Sequence, residues 1–369
     1  MKDDCFEVLE GGFLTTIQDI GRFGYASRGV SKSGASDIYS FKIANFLLQN
    51  NENSLTLEIS YGLAKFLVLK PIHVSITGSN LNPMVNNYKV PMWRTLKLEK
   101  NDILSFGTAK IGFRSYVGIS GGINVPLVLG SGSTHLASKL GGISGKGLQK
   151  GDLISSYTPL NEDKLLLYLG NKNEGSKKIN LRVIPGPQEG HFSPEILKRF
   201  YSNPFKSTEK IDRIGVALDG PDILTLTGNH DLISDVTPEG SIQVPGNGKP
   251  IILLSDCQTT GGYPKIGVVA SVDLPKLGQI GTSDSINFEK ITLEEAERLY
   301  KIRDEEFSKN NFSEIVIKEY SIGIINSKYD VKLYKDPQGK RVLDDISVTV
   351  NGEYVEVKEN IQPDASEIS

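Results

Sequence analysis

A chain of 369 residues with 38 % hydrophobic and 23 % charged residues is not a disordered polypeptide. It is long enough for two or three compact domains at the usual ~150 residues each. Lys+Arg of 41 against Asp+Glu of 44 leaves a formal charge of −3, which argues against a dedicated nucleic-acid surface. The two cysteines, Cys5 and Cys257, supply neither a disulfide framework nor a four-thiolate zinc site, and read as reduced thiols of a cytoplasmic protein. The first residues lack the apolar core of a secretion signal, and no apolar run approaches the roughly 18 residues of a membrane helix. Glycine alone is in excess, 38 residues against a usual ~7 %, which implies many tight turns and a β-rich fold.

In chain order, residues 37–49 carry Ile38, Phe41, Ala44, Phe46 and Leu48 at helical spacing, with Ser36 as the expected N-cap. Short alternating or apolar segments at 66–69, 73–77, 95–98 and 103–106 predict strands. The stretch 171–178 is polar and reads as a linker. Ser193-Pro194-Glu195 starts a short helix, with proline where its missing N–H costs nothing. The continuous apolar runs 251–254 and 266–270 predict strands buried on both faces. Thr292-Leu-Glu-Glu295 is a capping-box sequence opening a last helix. Beyond Arg303 the chain turns charged, then offers a hairpin, 347–350 and 354–357, around Asn351-Gly352; the tail from 359 reads as disordered. The divisions expected are 1–175, 176–303 and a C-terminal extension, 304–369. A faint repeat, Arg28-Gly-Val30…Asp37 against Arg213…Asp222 and Lys139-Leu-Gly141 against Lys276-Leu-Gly278, favours two related β domains.

Two polar clusters stand out. Around glycines 21, 24, 29 and 34 lie Gln18, Asp19, Arg22 and Asp37, which either converge as a site or satisfy one another inside a buried loop. Gln243, then Ser255-Asp-Cys-Gln-Thr-Thr-Gly-Gly-Tyr-Pro-Lys-Ile266, is a polar loop delivered between two apolar strands. Rigidly held loops of this kind usually carry function. Lys265, between Pro264 and Ile266, is expected to be partly desolvated. Gly118-Ile-Ser-Gly-Gly122 matches a nucleophile elbow in letters, but extended chain follows where the elbow needs a helix. Residues 141–147 fail the phosphate-loop spacing, and the four histidines form no metal-ligand pair.

Four segments, Thr16-Ile-Gln-Asp-Ile-Gly-Arg-Phe-Gly-Tyr25, Gly29-Val-Ser-Lys-Ser-Gly-Ala-Ser-Asp37, Asp212-Arg-Ile-Gly215 and Gln258-Thr-Thr-Gly-Gly-Tyr-Pro-Lys-Ile266, resemble the biotin-dependent carboxyltransferase family. Its members include the C subunit of 5-oxoprolinase, the KipI antagonist (KipA), the second subunit of allophanate hydrolase and the carboxyltransferase part of urea carboxylase. The resemblance, over about residues 5–300, implies a mainly β fold of two tandem cyclophilin-like β-barrel domains. It implies a heteromeric enzyme in which A and B subunits of 5-oxoprolinase (the latter KipI-like) join this one to hydrolyse 5-oxo-L-proline to L-glutamate. ATP is used by that complex, with no recognisable nucleotide motif here. Carboxyl transfer from biotin to urea or a related amide, or a non-catalytic regulatory role, are the alternatives.

Carried over by position, the resemblance implies Lys265, Asp256, Arg22 and Arg213 as catalytic groups. Asp19, Ser33, Asp37, Asp212, Gln243, Gln258, Thr259, Thr260 and Tyr263 would bind substrate, with no metal. The expected chemistry is stabilisation of developing negative charge by Lys265 and an arginine, with Asp256 relaying a proton. The family usually has arginine where this chain has Gly132 and Cys257, which weakens anion recognition there. The C-terminal hairpin is similar to the start of a biotin carrier domain, but no Ala-Met-Lys-Met follows, so covalent biotin is not expected.

Overall fold

Thr56-Leu57-Glu58-Ile59-Ser60 alternates apolar and polar side chains, and this period of two governs most of the chain. The computed structural model describes residues 3–158, 176–220, 224–225 and 233–305, and the backbone alone of 167–168, 306–308, 313–314, 316–324, 327–335, 348–350 and 353–355. In the first half the strands are β1 (Asp3–Gly11), β2 (Leu14–Gln18), β3 (Thr56–Ser60), β4 (Ala64–Val68), β5 (Ile72–Gly78), β6 (Met84–Val85), β7 (Tyr88–Lys89), β8 (Thr95–Leu98), β9 (Ile103–Ser105), β10 (Arg114–Ile119) and β11 (Leu153–Ser156). They form a six-stranded sheet, β11-β1-β4-β9-β6-β7, and a five-stranded one, β2-β3-β10-β5-β8. Phe6, Val8, Phe66 and Leu104 from the first meet Leu57, Ile59, Val74 and Val117 from the second in one core.

The other face of the five-stranded sheet is covered by helix α1 (Ile38–Leu47), whose Phe41 and Ala44 pack on Tyr116. The helix is capped by Asp37, which accepts from Ser40 N, and not by the expected Ser36. Ser36 is instead drawn into bonds with the second half of the chain. β3 is therefore buried on both faces, with Glu58 on the side away from the apolar core.

After β12 (Leu167–Tyr168), the second half contains β13 (Lys178–Pro185), helix α2 (Pro194–Ser202), β14 (Phe205–Ile211), β15 (Gly215–Asp219), β16 (Asp235–Val236), β17 (Ser241–Gln243), β18 (Ile251–Leu253), β19 (Thr260–Gly261), β20 (Lys265–Val269), helix α3 (Leu274–Leu277), β21 (Ser285–Lys290) and helix α4 (Leu293–Ser308). Seven of these strands close a barrel in the order β13-β20-β17-β18-β15-β14-β21, while β16 and β19 form a separate ribbon. Ser193 caps α2 with Pro194 in its first turn, and Thr292 Oγ1 accepts from Glu295 N at 3.2 Å at the start of α4. α4 continues past residue 303 to Ser308. Four further strands, β23 (Val316–Ile324), β24 (Ser327–Lys335), β25 (Val348–Val350) and β26 (Glu353–Val355), pair in sequence order, and β22 (Ser313–Glu314) pairs with β12. The Asn351-Gly352 turn, most of the 171–178 stretch and the tail from 359 lie outside the described residues.

The mainly β expectation stands, with a closed barrel in the second half and two facing sheets in the first. The Arg28 and Arg213 arms of the faint repeat sit in different settings. Arg28 ends an exposed 3₁₀ turn ahead of α1, whereas Arg213 is buried and leads into β15. Ser120 follows β10 in a turn, with its N–H on His73 O, so no nucleophile elbow forms.

Within the barrel, Phe200 of α2 stacks on Phe288 of β21, centroids 4.6 Å apart, and touches Phe205 of β14. Truncating this fully buried ring leaves a cavity between helix and barrel. Phe200→Ala is expected to lower stability by about 3–5 kcal/mol in urea unfolding.

Candidate functional site at the seam and the barrel mouth

The two glycine-hinged segments meet. Ser33 N donates to Ser255 O at 3.0 Å, and Ser31 Oγ donates to Cys257 O at 2.6 Å, so residues 31–33 lie along residues 255–257. The loops can fold this tightly because Gly21 and Gly34 sit back to back, both at positive φ. A Cβ on Gly34 would lie 2.8 Å from Gly21 N.

Arg213 occupies the centre of the seam and is 2 % exposed. Its Nε and Nη2 bond both oxygens of Asp256 at 3.0 and 2.9 Å, and its Nη1 bonds Glu58 Oε1. Nη2 also reaches Gly34 O at 2.6 Å and Ser255 Oγ at 3.1 Å, while Nη1 reaches Ser36 Oγ at 3.2 Å. The charge of Arg213 is thus held by one acid from each half, and its guanidinium stays protonated well above the usual range. Burial opposes that, but Asp256 and Glu58 outweigh it. On Glu58, Oε2 accepts from Ser36 N at 2.9 Å and from Tyr116 OH at 2.8 Å; Tyr116 is the residue opposite it on β10. Burial pushes the Glu58 carboxyl up, but Arg213 and Arg114 together with these donors hold it below the usual carboxylate range.

A second clasp flanks the first. Gln279 accepts from Ser79 Oγ, Phe113 N and Arg114 N through Oε1, and donates to Asp37 Oδ2 and Arg114 O through Nε2. Arg114 in turn donates to Gly278 O at 2.7 Å and Asp212 O at 3.3 Å.

This geometry reassigns several of the expected site residues. Asp256 has both carboxylate oxygens bonded by Arg213, with Ser33 Oγ adding a third bond at 2.8 Å, so its bonds hold the seam together. Arg213 has no donor left for a substrate, because all of its N–H groups are engaged across the seam. Asp37 caps α1, and Asp212 is exposed and caps its own turn through Ile214 N and Gly215 N. Asp19 accepts from Gly21 N, Ser131 Oγ, Gly132 N and Ser133 Oγ, tying down the 131–133 segment. Arg22 donates to Val128 O and Ser133 O, leaving Nη1 without a hydrogen-bond partner among the described residues; burial lowers its pKa against the pull of Asp19 and Asp256. At Gly132, a Cβ would meet Leu55 Cδ1 at 2.6 Å, so any side chain there requires the end of Leu55 to move aside.

The remaining candidates gather at the barrel mouth, directly after the seam. Gln243 on β17 faces Lys265 on β20 as its cross-strand partner, so both side chains share a face. Lys265 is 2 % exposed; its Nζ bonds Asp235 Oδ2 at 2.8 Å and Val236 O at 3.0 Å, which leaves one N–H without a partner among the described residues. The Asp235 carboxyl is lowered chiefly by that bond to Lys265. Gln243 Oε1 accepts from Gln258 Nε2 at 3.3 Å, while its buried Nε2 has no hydrogen-bond partner among the described residues. Gly261 makes this possible, since a Cβ there would come within 2.7 Å of Gln243 Nε2. Gln258, Thr260 and Tyr263 are exposed around this pair and Thr259 is half-buried. The arrangement offers a fixed ammonium and an amide N–H, both suited to binding a carbonyl or carboxylate oxygen.

Sequence reasoning missed Glu58, Tyr116, Arg114 and Gln279 at the seam and Asp235, Gln188 and Thr237 at the mouth. Gln188 bonds both Lys265 N and Asp235, and Thr237 Oγ1 donates to Gln258 O. Among the described residues no group of three His, Cys, Asp or Glu side chains could hold a metal, and no helix is long and apolar enough to cross a membrane.

Comparison with known proteins bears on this pairing of halves. The model of the carboxyltransferase domain, subdomain A and B, matches residues 28–290, which takes in the seam and the second cluster but begins after Asp19 and Arg22. The chain belongs to the carboxyltransferase-domain family. It is 33 % identical over 294 residues to the C subunit of 5-oxoprolinase from Escherichia coli (strain K12), covering 79 % of this chain and 92 % of that protein. It is 29 % identical over 323 residues to urea amidolyase of Saccharomyces cerevisiae, covering 81 % of this chain but 17 % of that much longer protein. In structure, the K. lactis urea amidolyase superposes with a TM-score of 0.77 at 26 % identity, over 91 % of this chain and 23 % of the other.

The seam dictates an acid-sensitive stability. Glu58 binds fewer protons folded than unfolded, so its contribution is complete above its ordinary value of 4.5 and is lost as the pH falls through the lower folded value. Glu58→Gln is expected to cost about 3–5 kcal/mol near neutral pH by stranding the buried guanidinium. It should also flatten the acid limb of urea-unfolding stability measured from about pH 3 to 7.

Proposed function

We propose that this chain is the C subunit of an ATP-dependent 5-oxoprolinase, cytoplasmic, acting with A and B subunits to hydrolyse 5-oxo-L-proline to L-glutamate. The observation that carries the reading is the match along 92 % of the E. coli C subunit, at higher identity than the match to the urea amidolyase of S. cerevisiae. The barrel mouth supports it chemically. Ring opening of a cyclic amide develops negative charge on the carbonyl oxygen, and Lys265 Nζ and Gln243 Nε2 are donors held in place before substrate arrives. Gln258, Thr259, Thr260 and Tyr263 would orient the ring, with Ser33 and Asp256 fixing the loop that carries them. In this reading ATP is consumed by the assembled complex, and Arg22, Arg213, Asp19, Asp37 and Asp212 serve as supports.

The fold match to urea amidolyase favours one second reading, carboxyl transfer from a biotinylated carrier to an amide at the same mouth. The two diverge in what must be added. Under our reading, glutamate forms from 5-oxoproline and ATP only when this chain joins the A and B subunits, with no biotinylated protein present. Lys265→Met is expected to lower that rate at least about ten-fold, the loss of one charged donor in the transition state, with the melting temperature little changed. Wild-type turnover in this variant would remove Lys265 from the chemistry, and a requirement for a biotinylated carrier would favour the second reading.

A further inference from the structure

A recess of ≈ 250 Å³ opens between the halves on the side bearing Phe13 and Tyr61, and the machinery described above does not use it. That volume is below the ~300–1,000 Å³ of a typical small-molecule site and suits one long side chain. One wall is aromatic: Phe13 and Tyr61 meet edge to face with centroids 4.8 Å apart, and Tyr61 meets Phe113 at 5.5 Å. Phe13 is 65 % exposed, so this is a ring presented to solvent and not a core residue.

The backbone holds these rings in place. Tyr61 and Leu63 both have positive φ, 67° and 63°, on either side of Gly62 at 102°. Phe13 N donates to Gly62 O and Tyr61 N to Phe113 O, which locks the three aromatic segments together. Opposite them stands Ile211 at the end of β14. The pairing of β14 with β15 slips between Ser207 and Ile211, and Glu209 lies within that irregularity, exposed, at the rim.

Charge decides the occupant. Arg114 and Arg213 reach the floor of the recess, but their guanidiniums are already matched by Glu58, Asp256 and carbonyl oxygens of the seam. Glu209 and Asp212 at the rim have no cation within salt-bridge distance among the described residues. Arg114 already lies over the Phe113 ring, 4.8 Å from its centroid. The Phe13 and Tyr61 rings, beside carboxylates with no cation partner among the described residues, select a cation. A planar guanidinium on an aliphatic stem uses both the rings and the acids. We propose that this recess is a docking notch for an arginine side chain of a partner polypeptide. The inference is independent of the reaction at the barrel mouth.

The test is titration of the full chain with acetyl-Gly-Arg-Gly-amide, followed by NMR or calorimetry. The controls are the same peptide with citrulline, the uncharged isostere, or glutamate at the centre. Saturable binding by the arginine peptide alone is expected, weakened about ten-fold by Phe13→Ala and by Glu209→Lys, the range of one desolvated cation–π or ion contact. Both residues are exposed, and an unchanged melting temperature would show that the variants fold. Equal binding of the citrulline peptide, undiminished binding by both variants, or no saturable binding would overturn the proposal. Binding of butylguanidinium as tight as that of the peptide would assign the notch to a small cation and overturn the partner.

Discussion

A guanidinium sealed from water is tolerable only when opposite charge and hydrogen bonds replace its hydration. Arg213 meets that condition with one acid from each half of the chain, Glu58 on a central strand of the five-stranded sheet and Asp256 on the loop after β18. Removing either partner leaves a buried charge uncompensated, so the relative position of the halves is set by electrostatics as well as by apolar contact. The placement of the loop that follows residue 256 depends on it. The chain leaves Asp256, passes Cys257 against Ser31, and runs directly into the Gln258–Lys265 loop that forms the barrel mouth.

Two kinds of polar residue therefore share the same short stretches of sequence. Asp19, Asp37, Arg213 and Asp256 are joints whose hydrogen bonds close within the protein. Gln243 and Lys265, and Arg22 through Nη1, retain donors with no partner among the described residues. A family motif marks both kinds alike, because a misplaced joint would move the functional groups as surely as a mutation in them. Hydrogen-bond saturation separates them, and only coordinates reveal it.

Much of the architecture was legible from the residues. The apolar runs near 251 and 266 are buried strands of the barrel, and Ser193-Pro194 and Thr292 cap helices as their chemistry requires. Ser36 misled because the helix-start rules rank serine and aspartate alike. Which of two adjacent capping residues is used depended on Arg213 and Ser255, more than 170 residues away, claiming the serine. Glu58 was illegible for a related reason: in an alternating strand an acid reads as solvent-facing, and nothing local announces that α1 and the second half will cover that face. The proximity of the two glycine-hinged segments was legible as a pattern, but the partition of their polar groups into joints and free donors was not.

The two thiols carry a consequence of their own. Cys257 lies beside the seam, Cys5 in the core of the first half, and burial pushes both up to about 12. At neutral pH almost none of either is thiolate, the form that alkylating reagents attack. Each becomes reactive only when its surroundings part, so the chain carries two internal sentinels: labelling at one would time the separation of the halves, and labelling at the other the fraying of the facing sheets.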